Sequence, residues 1–389
     1  MSDTPVPPFQ RSAAVARIES ISLRPSLAPP PPGTVSLAMG EPDFDTPGEI
    51  VDAAVTALRD GHTRYTDPLG DADLRDALAV AVTQRAGAPF TRDQIVVTHG
   101  ASAGLAAAIV GLVSPGDRVV IPEPTYSLYA DLVALAGGMP DFVPLRPDYH
   151  LDFDRLAAAL PGARLLVLCT PGNPTGAVVR SEEWARIAEL ATAAGVYVLS
   201  DEAYYSLVFT DAPFVSGLTI DALRDRFIYA QTFSKAYAMT GWRLGYLAGP
   251  REIVRAAGVI HRAFNGTNNA FVQRAALTAV RDGERNARRW FTAFAERRAY
   301  ALARLRAIDG LDVTPPEGGF YIFIRYAAPL DSAQLTERFY AAGVAVRAGR
   351  EYGPSGERHF RISFATSLEN LELGIDRIAG VFAQLPAAV

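Results

Sequence analysis

One residue of this 389-residue chain stands apart by type: of its 37 lysines and arginines, Lys235 alone is a lysine. An arginine keeps its proton in a protein, whereas a lysine amine can be tuned to lose it and attack a carbonyl. A coding bias against lysine would leave survivors at arbitrary positions. Lys235 instead stands in Thr232-Phe233-Ser234-Lys235, just past the apolar run Phe227-Ile228-Tyr229-Ala230, which reads as a buried strand. Open α/β sheets hold their ligands at the carboxyl ends of strands. Covalent carbonyl chemistry is therefore the first reading.

Three other polar groups follow predicted strand ends. Gly100-Ala101-Ser102 leads from a strand into a helix, where backbone N–H groups meet an anion such as phosphate; an ordinary turn has the same pattern. Arg243 is a candidate counter-charge, and the Ser102 and Thr232 hydroxyls are candidate donors to the same anion. Asp201 follows Val196-Tyr197-Val198-Leu199-Ser200, and a carboxylate at the end of a buried strand needs a partner. A protonated ring nitrogen is one such partner and makes the ring an electron sink; a helix cap or a salt bridge is another. Tyr204 is placed to donate to a ring oxygen or simply to pack. Asn173-Pro174-Thr175-Gly176 is turn chemistry whose Asn offers both a donor and an acceptor.

Bringing all four to one edge takes a sheet. From about residue 50 to 250, short β-branched runs alternate with helical stretches, the pattern of an α/β domain with a mostly parallel sheet. Seven strands are expected, at 95–98, 118–121, 139–144, 165–169, 196–200, 227–230 and 244–248. Helices are expected at 103–113 and 182–194, the second with Ser181 as N-cap. Upstream lie an amphipathic stretch at 14–21 and Pro29-Pro30-Pro31-Pro32-Gly33, which favours an extended connector. Downstream, helical Ala- and Arg-rich stretches at 270–308 give way to alternating segments at 320–325 and 360–364 and a last helix at 368–384. The expected fold class is α/β. A large domain, 46–280, carries the seven-stranded mostly parallel sheet between helices, and a smaller α+β domain combines the N-terminal arm, 1–45, with the C-terminal part, 281–389.

A net charge of −5 and scattered arginines argue against nucleic acid as a partner. Cys169 is the single cysteine, so no internal disulfide can form. Residues 1–10 are polar and proline-rich, and no apolar stretch reaches the roughly 18 residues that would span a bilayer. A cytoplasmic protein without a membrane partner is expected. The histidines His62, His99, His150, His261 and His359 lack ligand spacing, so no metal site is expected.

Taken together, the chain resembles the class I/II aminotransferases of the pyridoxal-phosphate fold-type I (aspartate aminotransferase-like) family. The resemblance runs through Gly40-Glu41-Pro42-Asp43-Phe44, Arg64-Tyr65-Thr66, Asn173 to Gly176, Asp201 to Tyr204, Ser234-Lys235, Gly241-Trp242-Arg243-Leu244-Gly245 and Phe360-Arg361-Ile362-Ser363. Ordered matches of this kind are far more specific than any one of them. The resemblance implies a pyridoxal 5'-phosphate enzyme moving an amino group between an L-amino acid and a 2-oxo acid. Lys235 would carry the Schiff base and then shuttle a proton. Asp201 would pair the ring nitrogen, Asn173 and Tyr204 would bind the ring hydroxyl, and Tyr126 would stack on the ring. Gly100, Ala101, Ser102, Thr232 and Arg243 would hold the phosphate, joined by Tyr65 from the other subunit of a homodimer. Arg361 would grip the substrate carboxylate, Asn173 beside it, with Gly40 lining the substrate pocket.

Two departures are visible. Thr232 stands where the family usually has Ser or Gly, keeping a hydroxyl. Ser102 and Ala103 occupy a turn where some dicarboxylate-specific relatives carry a lysine, and no other basic residue is evidently dedicated to a distal carboxylate. Lyases, decarboxylases and synthases share the lysine and the ring-pairing Asp, and form the alternative; Arg361 favours proton removal at Cα and so transamination. A remoter alternative is a serine hydrolase, because Gly100-Ala101-Ser102-Ala103-Gly104 satisfies G-x-S-x-G, with Asp201 and His261 or His359 to complete a triad.

Overall fold

Runs of Val, Ile and Leu build the main sheet of the chain, whose computed structural model describes residues 9–23, 31–281 and 288–385. Residues 1–8, Pro29 and Pro30, 282–287 within the helical stretch at 270–308, and 386–389 lie outside the described residues. After the short strand β1 (Val35–Ser36) come β2 (Ile95–Thr98), β3 (Arg118–Glu123), β4 (Met139–Pro144), β5 (Leu165–Cys169), β6 (Tyr197–Asp201), β7 (Phe227–Thr232) and β8 (Gly245–Ala248). These seven later strands form one sheet in the order β2-β8-β7-β6-β5-β3-β4, parallel except for β8. Each predicted strand is present. Several run a residue or two further, so that Asp201 and Thr232 end their strands instead of following them.

Both faces of this sheet are covered, which is why its strands read as apolar runs without alternation. Val96, Ile228 and Leu247 face a core shared with Leu105, Ile109 and Val254 of the helices Gly100–Leu112 and Arg251–Asn265. Val97, Tyr229 and Ala248, one residue on, face the opposite core with Trp184 and Ile187. The two-residue period of a strand thus divides one sequence between two cores.

A second sheet is antiparallel, in the order β12-β13-β10-β9, from β9 (Leu311–Val313), β10 (Tyr321–Tyr326), β12 (Arg347–Ala348) and β13 (His359–Ser363). β1 pairs in parallel with β11 (Val344–Ala345), so the arm joins the C-terminal part as expected. Leu37 from the arm shares a core with Phe294, Leu305, Phe320, Ile322, Phe360 and Ile375.

Two local expectations change. The helix expected at 103–113 begins at Gly100, because all of Gly100-Ala101-Ser102 is its first turn and not a preceding loop. The helix Ser181–Ala194 is capped at Arg180, not Ser181: the buried Glu183 carboxylate reaches back to accept the Arg180 backbone N–H at 2.9 Å. The same Glu183 meets His150 (Nδ1–Oε1 3.3 Å), whose Nε2 lies 3.5 Å from Glu317 Oε1. Glu317 also accepts from Arg180 Nη2 at 2.7 Å and from the Val178 N–H at 3.0 Å. This cluster ties the segment before Ser181 to the loop that leads into β10.

Candidate active site

The strand ends of β5, β6 and β7 open on a cavity of about 720 Å³, and the polar groups singled out in the sequence meet there. Gly40, Ala101, Ser102, Tyr126, Asn173, Asp201, Tyr204, Thr232, Lys235, Arg243 and Arg361 all line it. Gly100 lies just behind Arg243: an added Cβ would sit 2.6 Å from Arg243 Nη2, and its φ of +73° already asks for glycine. Tyr65 is outside the cavity, with 96% of its surface exposed.

One wall is the start of the helix Gly100–Leu112, whose first N–H groups have no intrahelical partner. Arg243, held in the left-handed region at φ +52°, turns its guanidinium over this helix end. Thr232 Oγ1 bonds Ser234 Oγ at 2.9 Å and accepts the Ser234 N–H at 3.1 Å, placing two hydroxyls beside Lys235. Helix dipole, guanidinium and hydroxyls together form a site for a doubly charged anion.

At the other end, Asp201 accepts from the Tyr129 hydroxyl at 2.8 Å and from the Ala203 N–H at 3.2 Å. Burial pushes its carboxyl pKa up, against the Tyr129 and Ala203 hydrogen bonds and the charge of Lys235. Burial likewise pushes the Lys235 ammonium down to about 8, with Arg361 and Arg243 adding to the shift and Glu41 and Asp201 opposing it. Lys235 Nζ donates to the Gly40 carbonyl. Tyr204 and Tyr321 share a hydroxyl hydrogen bond of 3.1 Å. Arg361 donates from Nη1 to Asn173 Oδ1 at 2.9 Å and from Nη2 to the Ala38 carbonyl at 2.6 Å, leaving its buried Nε without a partner. Its guanidinium lies 4.0 Å above the centre of the Tyr321 ring. A carboxylate, a lysine amine, two guanidinium groups and a helix N-terminus thus face one cavity.

Sequence reasoning missed Tyr129, Ser234, Tyr321, Arg347, Glu351 and Tyr352, all in the cavity wall. The three-residue spacing of Tyr126 and Tyr129 at a helix start was a usable signal, as was the alternation Tyr321-Ile322-Phe323. Gly40 also has a tighter reason to be glycine than lining a pocket, since a Cβ there would lie 1.9 Å from the Tyr321 hydroxyl oxygen.

The hydrolase alternative is overturned by the partners of its members. His261 Nε2 accepts the His99 backbone N–H at 3.2 Å and stacks on the His99 ring. His359 Nδ1 faces the Glu357 carbonyl at 2.9 Å and its ring stacks on Phe323. Asp201 is engaged by Tyr129 and Ala203, and Ser102 sits in a regular first helical turn. Among the described residues no hydrogen bond joins Ser102 to a histidine. Among the described residues no helix is long and apolar enough to cross a membrane.

The aminotransferase class I and II family matches residues 32–378, and the chain belongs to that family. It is a pyridoxal-phosphate-dependent aminotransferase, acting on amino acids and 2-oxo acids. Over 363 residues it is 36% identical to a bifunctional aspartate aminotransferase and glutamate/aspartate-prephenate aminotransferase of Petunia hybrida, covering 88% of this chain and 75% of that one. It is also 36% identical to the aromatic-amino-acid aminotransferase 2 of Thermococcus litoralis, covering 90% and 92%. The crystal structure of the aromatic aminotransferase from Pyrococcus horikoshii superposes with a TM-score of 0.89 at 33% identity, over 96% of this chain and 99% of that one.

Proposed function

We propose that Lys235 is the residue that binds the cofactor covalently and moves the proton in transamination, with Asp201, Arg243 and Arg361 as its three charged supports. The observation that carries this reading is the convergence of the single lysine, a buried carboxylate and a buried guanidinium with an open Nε on one cavity. Bound there, pyridoxal phosphate supplies a carbonyl that condenses with amines and a ring that takes up the electron pair left at the substrate Cα.

Each residue then has a task that follows from its surroundings. Gly100, Ala101 and Ser102 present N–H groups to the phosphate, and Arg243, Thr232 and Ser102 add charge and hydroxyls. Asp201 keeps a proton on the ring nitrogen, because a buried carboxylate gains most by facing a positive charge. Tyr129 and the Ala203 N–H fix its orientation. Asn173 and Tyr204 hold the ring hydroxyl, with Tyr321 orienting Tyr204, and Tyr126 covers the ring face. Arg361 takes the substrate α-carboxylate on its free edge and thereby turns the Cα–H bond toward Lys235. The Lys235 amine, eased toward its neutral form by burial, accepts that proton on Nζ and holds it for return. Gly40 keeps its carbonyl on Lys235 and leaves room for Tyr321.

The exposed ring of Tyr65 supports a homodimer in which it completes the phosphate site of the other subunit. The single cysteine supports a cytoplasmic setting. We read 46–280 as the cofactor-binding domain, with 1–45 and 281–389 as the small domain that closes on the substrate.

Borohydride reduction of the holoprotein, followed by peptide mapping, tests the central assignment. Cofactor is expected on the peptide carrying Lys235; no trapped cofactor there would reject it. A donor panel should release the matching 2-oxo acids, and release of CO₂ or of an eliminated side chain would favour the lyase alternative.

A further inference from the structure

Six acidic and basic side chains among the described residues line the cavity: Asp201, Lys235, Arg243, Arg347, Glu351 and Arg361. On the reading above, the first three serve the cofactor. Arg347, Glu351 and Arg361 remain for the substrate, and their formal charges leave one positive charge.

How those three are arranged is set by the small sheet. Arg347 on β12 is the direct cross-strand partner of Arg361 on β13. Directly opposed side chains leave a sheet on the same face, with Cβ atoms about 5 Å apart, and like charges so placed repel. Glu351 answers that repulsion. Its Oε2 lies 2.5 Å from Arg347 Nη2, its Oε1 accepts the Ala348 N–H at 3.2 Å, and the residue is buried. Burial raises its carboxyl pKa, while Arg347 and Arg361 both pull it down. The carboxylate is thus a counter-ion that both guanidinium groups feel.

We propose that Glu351 cancels Arg347, so that this chain offers the substrate a single uncompensated cation, Arg361, and prefers amino acids with uncharged side chains over dicarboxylic ones. The proposal rests on the assignment of Arg361 as the α-carboxylate clamp. A second substrate carboxylate would leave water without a free cation of this chain to meet it, which is costly. The walls left on offer are aromatic instead: Tyr340 and Tyr352. Such rings suit an apolar or aromatic side chain. Glu351 acts here as a positioning residue, through Arg347.

The test compares phenylalanine with aspartate in single-turnover half-reactions of the holoprotein. It also measures binding of the unreactive analogues 3-phenylpropionate and succinate by calorimetry. Wild type should favour phenylalanine and bind 3-phenylpropionate more tightly. Glu351→Gln should raise the aspartate-to-phenylalanine ratio of kcat/KM about tenfold, as a charge-assisted hydrogen bond would. The double variant Arg347→Gln/Glu351→Gln restores the net charge and should restore the wild-type ratio. The proposal is overturned if wild type binds succinate as tightly as 3-phenylpropionate, if Glu351→Gln leaves the ratio unchanged, or if Arg347→Gln alone abolishes a preference for aspartate. Should Arg361→Lys leave KM for every donor unchanged, the clamp assignment itself fails, which is a separate result. The wild-type binding comparison stands even if a variant does not fold.

Discussion

The cluster around His150 and the cavity around Lys235 are both built from titratable side chains, and they differ in how the charges are met. His150 lies between Glu183 and Glu317, and Glu317 collects further hydrogen bonds from Arg180 and the Val178 N–H. In the cavity, Arg361 Nε is buried without a partner, Asp201 is buried with its pKa pushed up, and Lys235 Nζ donates to one carbonyl. A completed network stabilises the fold, whereas an incomplete one costs stability that a ligand can recover. The contrast separates binding residues from scaffold residues.

The sharpest break of this contrast is Lys235→Ala. Turnover should fall about 10⁴-fold or more, because no other lysine can replace the acid–base group. The denaturation midpoint of the apoprotein should hold or rise, since a buried amine with one partner is removed; a large drop would place Lys235 with the scaffold. Arg361→Lys comes next. It loses the planar fork, and kcat/KM should fall roughly 30- to 150-fold, the equivalent of about 2–3 kcal/mol, mostly through KM.

Glu317→Gln should do the reverse: a loss of about 1–3 kcal/mol in urea unfolding, with kcat changed little. A change in kcat larger than the change in stability would show that the cluster belongs to the site.

The smallest effects are in pH dependence, where His150 and Lys235 should have opposite signs. Hydrogen bonds to the Glu183 and Glu317 carboxylates raise the His150 pKa to about 9, outweighing burial. Its contribution is therefore complete below the unfolded value of 6.5 and fades as pH rises through 9. Burial opposes ionisation of Glu317, but His150, the Val178 N–H and Arg180 hold its pKa at about 2. That contribution is complete above 4.5 and fades as pH falls through 2. Lys235 goes the other way: between about 8 and 10.5 the unfolded chain binds more protons, so its share of apoprotein stability improves as pH rises. Labelling the apoprotein with an amine reagent, with Lys235→Arg as the baseline for the α-amine, should show half-maximal reactivity near pH 8. A midpoint near 10.5 would mean that burial does not tune this amine.

The large sheet was legible because its strands are buried on both faces and punctuated by turns, and because Lys235, Asp201 and Asn173 sit at or just past strand ends. What escaped was set by long-range pairing. β12 has two residues, too few for any periodicity, and its meeting with Arg361 depends on register with β13. Arg347 and Glu351 therefore carry no signal of their own in the sequence. Arg180 also escaped as the cap, because propensity favours Ser181 while tertiary burial of Glu183 decided the start of the helix.

The arm carries one more consequence, in time and not in space. Leu37 and Ala38, just before Gly40, are pinned by the Leu37 N–H, which donates to the Ala345 carbonyl, by the Ser363 N–H, which donates to the Leu37 carbonyl, and by Arg361, which lies 323 residues after Ala38. At a synthesis rate of about 5–20 residues per second, that wait is roughly 16–65 s. During translation the first wall of the pocket is made early and finds its place last, so a nascent chain holds the large sheet well before it can hold a substrate.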